Sequence, residues 1–129
     1  MQITITPGSS QSIYRQITDQ LRMLVASAKV QVGDAVPSVR QLAKDLVVNP
    51  NTVAKAYAEL VRDGVLESQQ GRGYFVAKRK NIFSKAERHR RLDEALDGAI
   101  SEGVTLDFST DEIVERLQLR IARLLPQEK

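Results

Sequence analysis

Cysteine is absent from the 129 residues, and histidine occurs once, as His89. Together these exclude a disulfide framework, a cysteine-based zinc site and a cysteine nucleophile. Aromatic residues make up only 5% and tryptophan is missing, so the 42% hydrophobic fraction must build a mostly aliphatic core. No apolar run approaches the ~18 residues of a membrane span. The opening Met1-Gln2-Ile3-Thr4-Ile5 lacks the basic stretch and apolar core of a secretory leader. The resulting expectation is a cytoplasmic protein with no membrane association. No spacing sets a base beside a nucleophile, and His89 has only Glu87 and Asp93 near it in sequence. Neither enzyme chemistry, nor a metal, nor a cofactor is expected.

What is present is unevenly charged. The net charge is +3, yet residues 1–80 carry 11 Lys/Arg against 6 Asp/Glu, and residues 81–129 carry 8 against 10. A basic first part suits a polyanion such as nucleic acid, although an ordinary solvated surface has the same count.

Apolar spacing predicts the elements. Ile3 and Ile5 alternate with threonines, as in a short strand, before Pro7-Gly8 breaks the run. Ile13, Ile17, Leu21, Leu24 and Ala28 share one face of a helix running from about Ser12 to Lys29, and Gly33-Asp34 then turns the chain. A short second helix opens at Ser38, with Gln41 placed for a capping box and Val39, Leu42, Ala43 and Leu46 on its apolar side. Asn49 caps a third helix, and Pro50 occupies its first position, where no N–H is needed. Val53, Ala56, Tyr57, Leu60 and Val61 form its stripe, and Gly64 ends it. Residues 65–69 and 74–77 read as a hairpin with Gln70-Gly71-Arg72-Gly73 at the tip.

Lys78-Arg79-Lys80-Asn81 looks like a hinge. Two further helices follow, one over about Ser84 to Glu102, the other capped by Ser109 or Thr110 and ended by Pro126. Arg88, His89, Arg90 and Arg91 open the first of these, either as a solvated basic start or as an anion contact.

Three helices followed by a hairpin are the element order of a winged helix-turn-helix. The third helix presents its polar start to base edges in a major groove, and the hairpin tip lies over neighbouring phosphates or the minor groove. Asn49, Asn51 and Thr52 lie off the apolar stripe; amides pair with adenine and threonine touches a thymine methyl. The helix N-terminus favours a phosphate. Arg40 and Lys55 extend the surface, and Arg72 suits a narrow minor groove. Each residue also has a plainer use: Asn49 as a cap, Arg40 in a surface ion pair, the glycines as turn formers.

The runs Pro37-Ser38-Val39-Arg40-Gln41-Leu42-Ala43, Asn49-Pro50-Asn51-Thr52-Val53-Ala54-Lys55-Ala56-Tyr57, Asp63-Gly64-Val65-Leu66 and Gly71-Arg72-Gly73-Tyr74-Phe75-Val76 occur in that order. With Ile13-Tyr14-Arg15-Gln16-Ile17 before them, residues 10–77 resemble the GntR family of bacterial transcription regulators, and the short C-terminal part points to its YtrA-like subfamily. The resemblance implies a homodimer that represses operons, often for ABC transporters, by binding a palindromic double-stranded operator. It implies DNA contact by residues matching Arg40, Asn49, Asn51, Thr52 and the tip Gly71 to Gly73. With Ser38, Lys55 and Arg72 these make the expected DNA-binding set. Many relatives carry Arg where Pro50 and Ala54 stand, which leaves Lys55 as the substitute. Many also have Gly where Val47 stands, so a somewhat different turn is expected.

The expected fold is mainly α with a small β wing: a winged helix-turn-helix over 1–77, a linker over 78–83 and a two-helix dimerisation segment over 84–129. Leu92, Leu96, Ile100, Ile113, Leu117, Ile121 and Leu124 are the expected dimer face, the two helices being too small a body to enclose a ligand pocket of ~300 Å³. No effector is indicated. Two other readings compete: a winged helix used for protein contact, and the DNA-binding part of an enzyme fusion, for which no catalytic residues appear.

Overall fold

The computed structural model describes residues 1–78 and 82–125 and divides into two compact units, Met1–Lys80 and Asn81–Lys129. Residues 79–81 of the expected hinge and the expected stop at Pro126 lie outside the described residues.

In the first unit, α1 spans Ile13–Ala26, α2 Val39–Leu46 and α3 Pro50–Arg62, followed by β1, Leu66–Gln69, and β2, Gly73–Val76. Each helix starts where a short polar side chain replaces the missing backbone partner: Ser12, Ser38 and Asn49 all accept an N–H of the following turn. The strands pair antiparallel, Leu66 opposite Val76 and Gln69 opposite Gly73, so Gly73 belongs to β2 and the tip is Gln70-Gly71-Arg72. Ile17, Leu21, Val53, Tyr57, Leu60, Leu66 and Val76 meet in one aliphatic core, from which the wing and all three helices hang. Arg22 adds an outer clasp, its guanidinium reaching Glu59 at 2.9 Å and Asp63 at 2.8 Å and so binding α1 to the end of α3.

Four sequence expectations change here. Ile3 and Ile5 form no strand. Ile3 is buried, but the arm is held by side chains: Gln20 Oε1 accepts the Thr4 N–H (2.9 Å) and its Nε2 donates to the Thr4 carbonyl (2.7 Å). Gln16, one turn earlier, accepts the Thr6 N–H at 2.8 Å. Two carboxamides thus do what a neighbouring strand would do. Second, α1 stops at Ala26; Ala28 turns left-handed at φ 61° and leaves the helical face, and Val25 takes the buried place. Third, the Ser38 box is half made: Ser38 Oγ accepts the Gln41 N–H (3.0 Å), but the Gln41 amide turns to Asp45 (2.7 Å). Fourth, residues beyond Gly33 do more than turn, since Ala35 bridges to Phe75 and Val36 N–H donates to the Tyr74 carbonyl at 3.0 Å, adding a third short rung to the wing.

In the second unit, α4 spans Lys85–Thr105, ending three residues later than expected, and α5 spans Thr110–Leu124. Ser84 caps α4. Ser109, not Thr110, caps α5 and forms a complete capping box with Glu112. Gly103 lets the helices close, because a Cβ there would stand 2.9 Å from Ile113 Cδ1. Neither helix has a buried residue. Between them lies an open groove of about 550 Å³, floored by Leu96, Ile100, Ile113 and Leu117. It is open rather than enclosed, and the apolar sides of the two helices stay uncovered. No helix among the described residues is long and apolar enough to cross a membrane.

Candidate nucleic-acid interface

The helix-turn-helix is closed by its backbone. Val47 ends α2 in the left-handed region, φ 57° and ψ 52°, and the Val48 N–H then reaches the Ala43 carbonyl at 3.0 Å. The turn is therefore the ordinary tight one despite the β-branched residue, and the expectation of an altered turn is corrected. Val48 packs on the core, while the Val47 side chain stands 89% exposed. Closing the helix outweighs the local strain, which costs about 1–2 kcal/mol for an L-residue.

Asn49 is a cap: its Oδ1 accepts the Asn51 N–H at 2.8 Å. The cap holds the Asn49 amide in one orientation, with one lone pair of Oδ1 used and its NH2 group still able to donate. Asn51 is exposed, and its amide makes no hydrogen bond among the described residues, so it keeps both groups. The start of α3 has little left for a phosphate. Pro50 has no N–H, that of Asn51 is capped, and that of Thr52 donates to the Asn49 carbonyl at 3.0 Å. The phosphate expected there is better served by α2, where Arg40 is exposed and makes no ion pair among the described residues. Ser38 is exposed beside it, and its hydroxyl proton remains available for donation while its oxygen caps the helix.

Thr52 is half-buried at the edge of the exposed face. Along that face Ala54 and Ala58 alternate with Asn51 and Lys55, so small side chains allow the backbone to approach a groove. Lys55 is less free than its sequence position implied, since its ammonium lies 5.0 Å from the centre of the Tyr14 ring on α1.

At the wing, the Arg72 N–H closes a turn on the Gln69 carbonyl at 2.9 Å, with Gly71 at φ +76°. Arg72 itself is exposed, its guanidinium 5.7 Å from the Phe75 ring centre, which props it at the tip. Two residues that position this surface had no sequence signal beyond burial. Tyr57 Oη donates to the Pro37 carbonyl at 2.7 Å, tying α3 to the entry of α2. Burial, and secondarily Tyr74, pushes the Tyr57 phenol above its ordinary value, so it remains a donor. Tyr74 meets the Tyr57 ring edge-on at 4.9 Å, coupling wing to recognition helix.

A capped helix-turn-helix with a polar exposed helix and a paired wing defines a winged helix-turn-helix DNA-binding domain. A sequence model of the bacterial regulatory proteins of the gntR family matches residues 13–76. The HTH-type transcriptional repressor YtrA of Bacillus subtilis is 46% identical over 76 residues, 59% of this chain and 58% of that protein. The HTH-type transcriptional regulator YhcF of the same organism is 33% identical over 85% of this chain and 90% of its own length. Among solved structures, a transcriptional antiterminator from Listeria monocytogenes superposes with a TM-score of 0.87 at 29% identity, covering 100% of this chain and 96% of that one. The DNA-binding domain of AraR, solved with operator ORX1, superposes over 60% of this chain and 96% of that one, at a TM-score of 0.53 and 26% identity. The chain belongs to the GntR family, whose members are DNA-binding transcription regulators rather than enzymes.

Proposed function

We propose that the protein is a homodimeric repressor that binds a palindromic operator in the cytoplasm, one α3 in each half-site. The observation that carries this reading is the division of labour between the units. In the first, Arg40, Asn51 and Arg72 stay exposed around a finished core. In the second, Leu92, Ile100, Leu117, Ile121 and Leu124 are each 44–59% exposed on short helices. A second copy is the natural cover for that face, with Leu96 and Ile113, half-buried in the single chain, completing it. Two-fold symmetry then sets two recognition helices about 34 Å apart, one turn of DNA.

Repression is supported by the name of the relative YtrA, a transcriptional repressor, and control of a transporter operon by the subfamily resemblance. Within the interface, Ser38 and Arg40 hold the backbone, Asn51 and Thr52 read bases with Asn49 and Lys55 beside them, and Gly71-Arg72-Gly73 follows the neighbouring groove.

Salt dependence alone does not separate specific from general binding. The test compares a genomically selected operator with a scrambled duplex at one salt concentration, alongside sedimentation of the free protein. Equal affinities, or a monomer at binding concentrations, would overturn the reading. Asn51→Ala should cost about 1–3 kcal/mol of that discrimination with the circular dichroism unchanged. Unaltered discrimination would remove Asn51 from the reading surface.

A further inference from the structure

The positive charge of this chain is concentrated outside its reading surface. Residues 1–77 hold 8 Lys/Arg and 6 Asp/Glu, residues 92–129 hold 4 and 9, but residues 78–91 hold 7 and only 1. The winged-helix portion is thus nearly neutral for a module that must meet a polyanion, and the cations follow immediately after β2.

The first two turns of α4 contain Lys85, Arg88, His89, Arg90 and Arg91. A cation in the first turn opposes the positive end of the helix dipole, so the dipole gives no reason for Lys85 to be there. The structure sorts them into two sets. Glu87 accepts hydrogen bonds from Arg90 and Arg91, Arg90 also reaches Glu94 at 3.0 Å, and Arg91 stacks on Phe83 with its guanidinium 3.9 Å from the ring centre. These four charged groups share one face at helical spacing and largely neutralise one another. Lys85, Arg88 and His89 fall on the opposite face by the same spacing, all exposed. Lys85 and Arg88 make no ion pair among the described residues. The Glu87 clasp thus holds the helix start together while the remaining cations stay open.

We propose that the first two turns of α4, through Lys85 and Arg88, form a second DNA contact, made to the phosphate backbone rather than to bases. This rests on the reading of the first unit as the DNA-binding unit. Such a contact adds affinity without sequence information, since phosphates are the same at every site. It also fits the small net charge of residues 1–77: discrimination lies in α3 and the wing, and part of the counterion release lies at the start of α4.

The experiment uses the full chain and a long mixed-sequence duplex, with affinity measured across a salt series. A Lys85→Gln/Arg88→Gln variant should show a slope of log affinity against log salt shallower by roughly one unit for each phosphate that it no longer neutralises. Its preference for a selected operator over scrambled DNA should match that of the unsubstituted protein. A charge-matched Arg15→Gln/Lys29→Gln variant, altered on and just after α1, should keep the original slope. An unchanged slope in the first variant overturns the proposal, and so does an equal loss in both, which would report only net charge. Dissociation of the dimer in the first variant would also overturn it, by assigning these cations to a second copy. Failure of the unsubstituted protein to prefer operator over scrambled DNA would instead strike the reading of the first unit. The two failures are therefore distinguishable.

Discussion

Leu60 and Leu117 are both leucines on the apolar stripe of an amphipathic helix, yet Leu60 has no exposed surface and Leu117 is 45% exposed. The first unit gives every strong stripe a facing partner from α1, α2, α3 or the wing. The second has two helices and, among the described residues, nothing to lay over their outer sides. The same local pattern therefore has two consequences: a finished core where the chain supplies the cover, and an exposed apolar face where it does not.

That contrast can be broken by substitution. Leu60→Ala should destabilise the first unit by about 3 kcal/mol, read as a lower urea midpoint, because Leu60 is fully buried in the core and its removal leaves a cavity that collapses only in part. Leu117→Ala should leave that transition in place and instead weaken self-association by about 3 kcal/mol, roughly 100-fold in dissociation constant, since a two-fold interface loses the side chain twice. Similar urea midpoints in both variants would erase the distinction between the units.

Smaller effects sharpen it. Val47→Gly should raise the stability of the first unit by about 0.5–1 kcal/mol, the relief of a left-handed valine less the entropy of glycine, because an 89% exposed side chain has little packing to lose. A loss of stability would mean that Val47 is covered by something in the working protein. The smallest effect is at the start of α4. Hydrogen bonds from Arg90 and Arg91 hold the Glu87 carboxyl at about 2, below its ordinary 4.5. A folded value below the unfolded one means the clasp contributes fully above about pH 4.5 and is lost as pH falls towards 2. Carboxyl chemical shifts should place the Glu87 midpoint near the lower figure, and a normal midpoint would show that the clasp does not form in solution.

Most of the helix starts were legible in sequence, because capping is a local matter: Ser38 and Asn49 advertise themselves by type and by the residues that follow, while the choice between Ser109 and Thr110 needed the structure. Bonds across the fold were not. Nothing in the spacing shows that Gln16 and Gln20 would hold the arm of Ile3 and Ile5, that Ala35 would bridge to Phe75, or that Lys55 would lie against Tyr14. Such pairings depend on which surfaces meet, and a propensity pattern carries no information about that. Asn49 shows the same limit within the candidate site: its type allowed a cap, and only the structure shows its oxygen bonded to the Asn51 N–H.

Sequence alone determined the order of the five helices and the hairpin, most of their caps and most of their apolar stripes, since each depends on neighbours within a turn or two. Tertiary structure decided which amide is left without a hydrogen bond among the described residues, which cations are already neutralised and which stripes lack a partner. Those outcomes arise only when distant segments compete for the same hydrogen bonds and the same buried space.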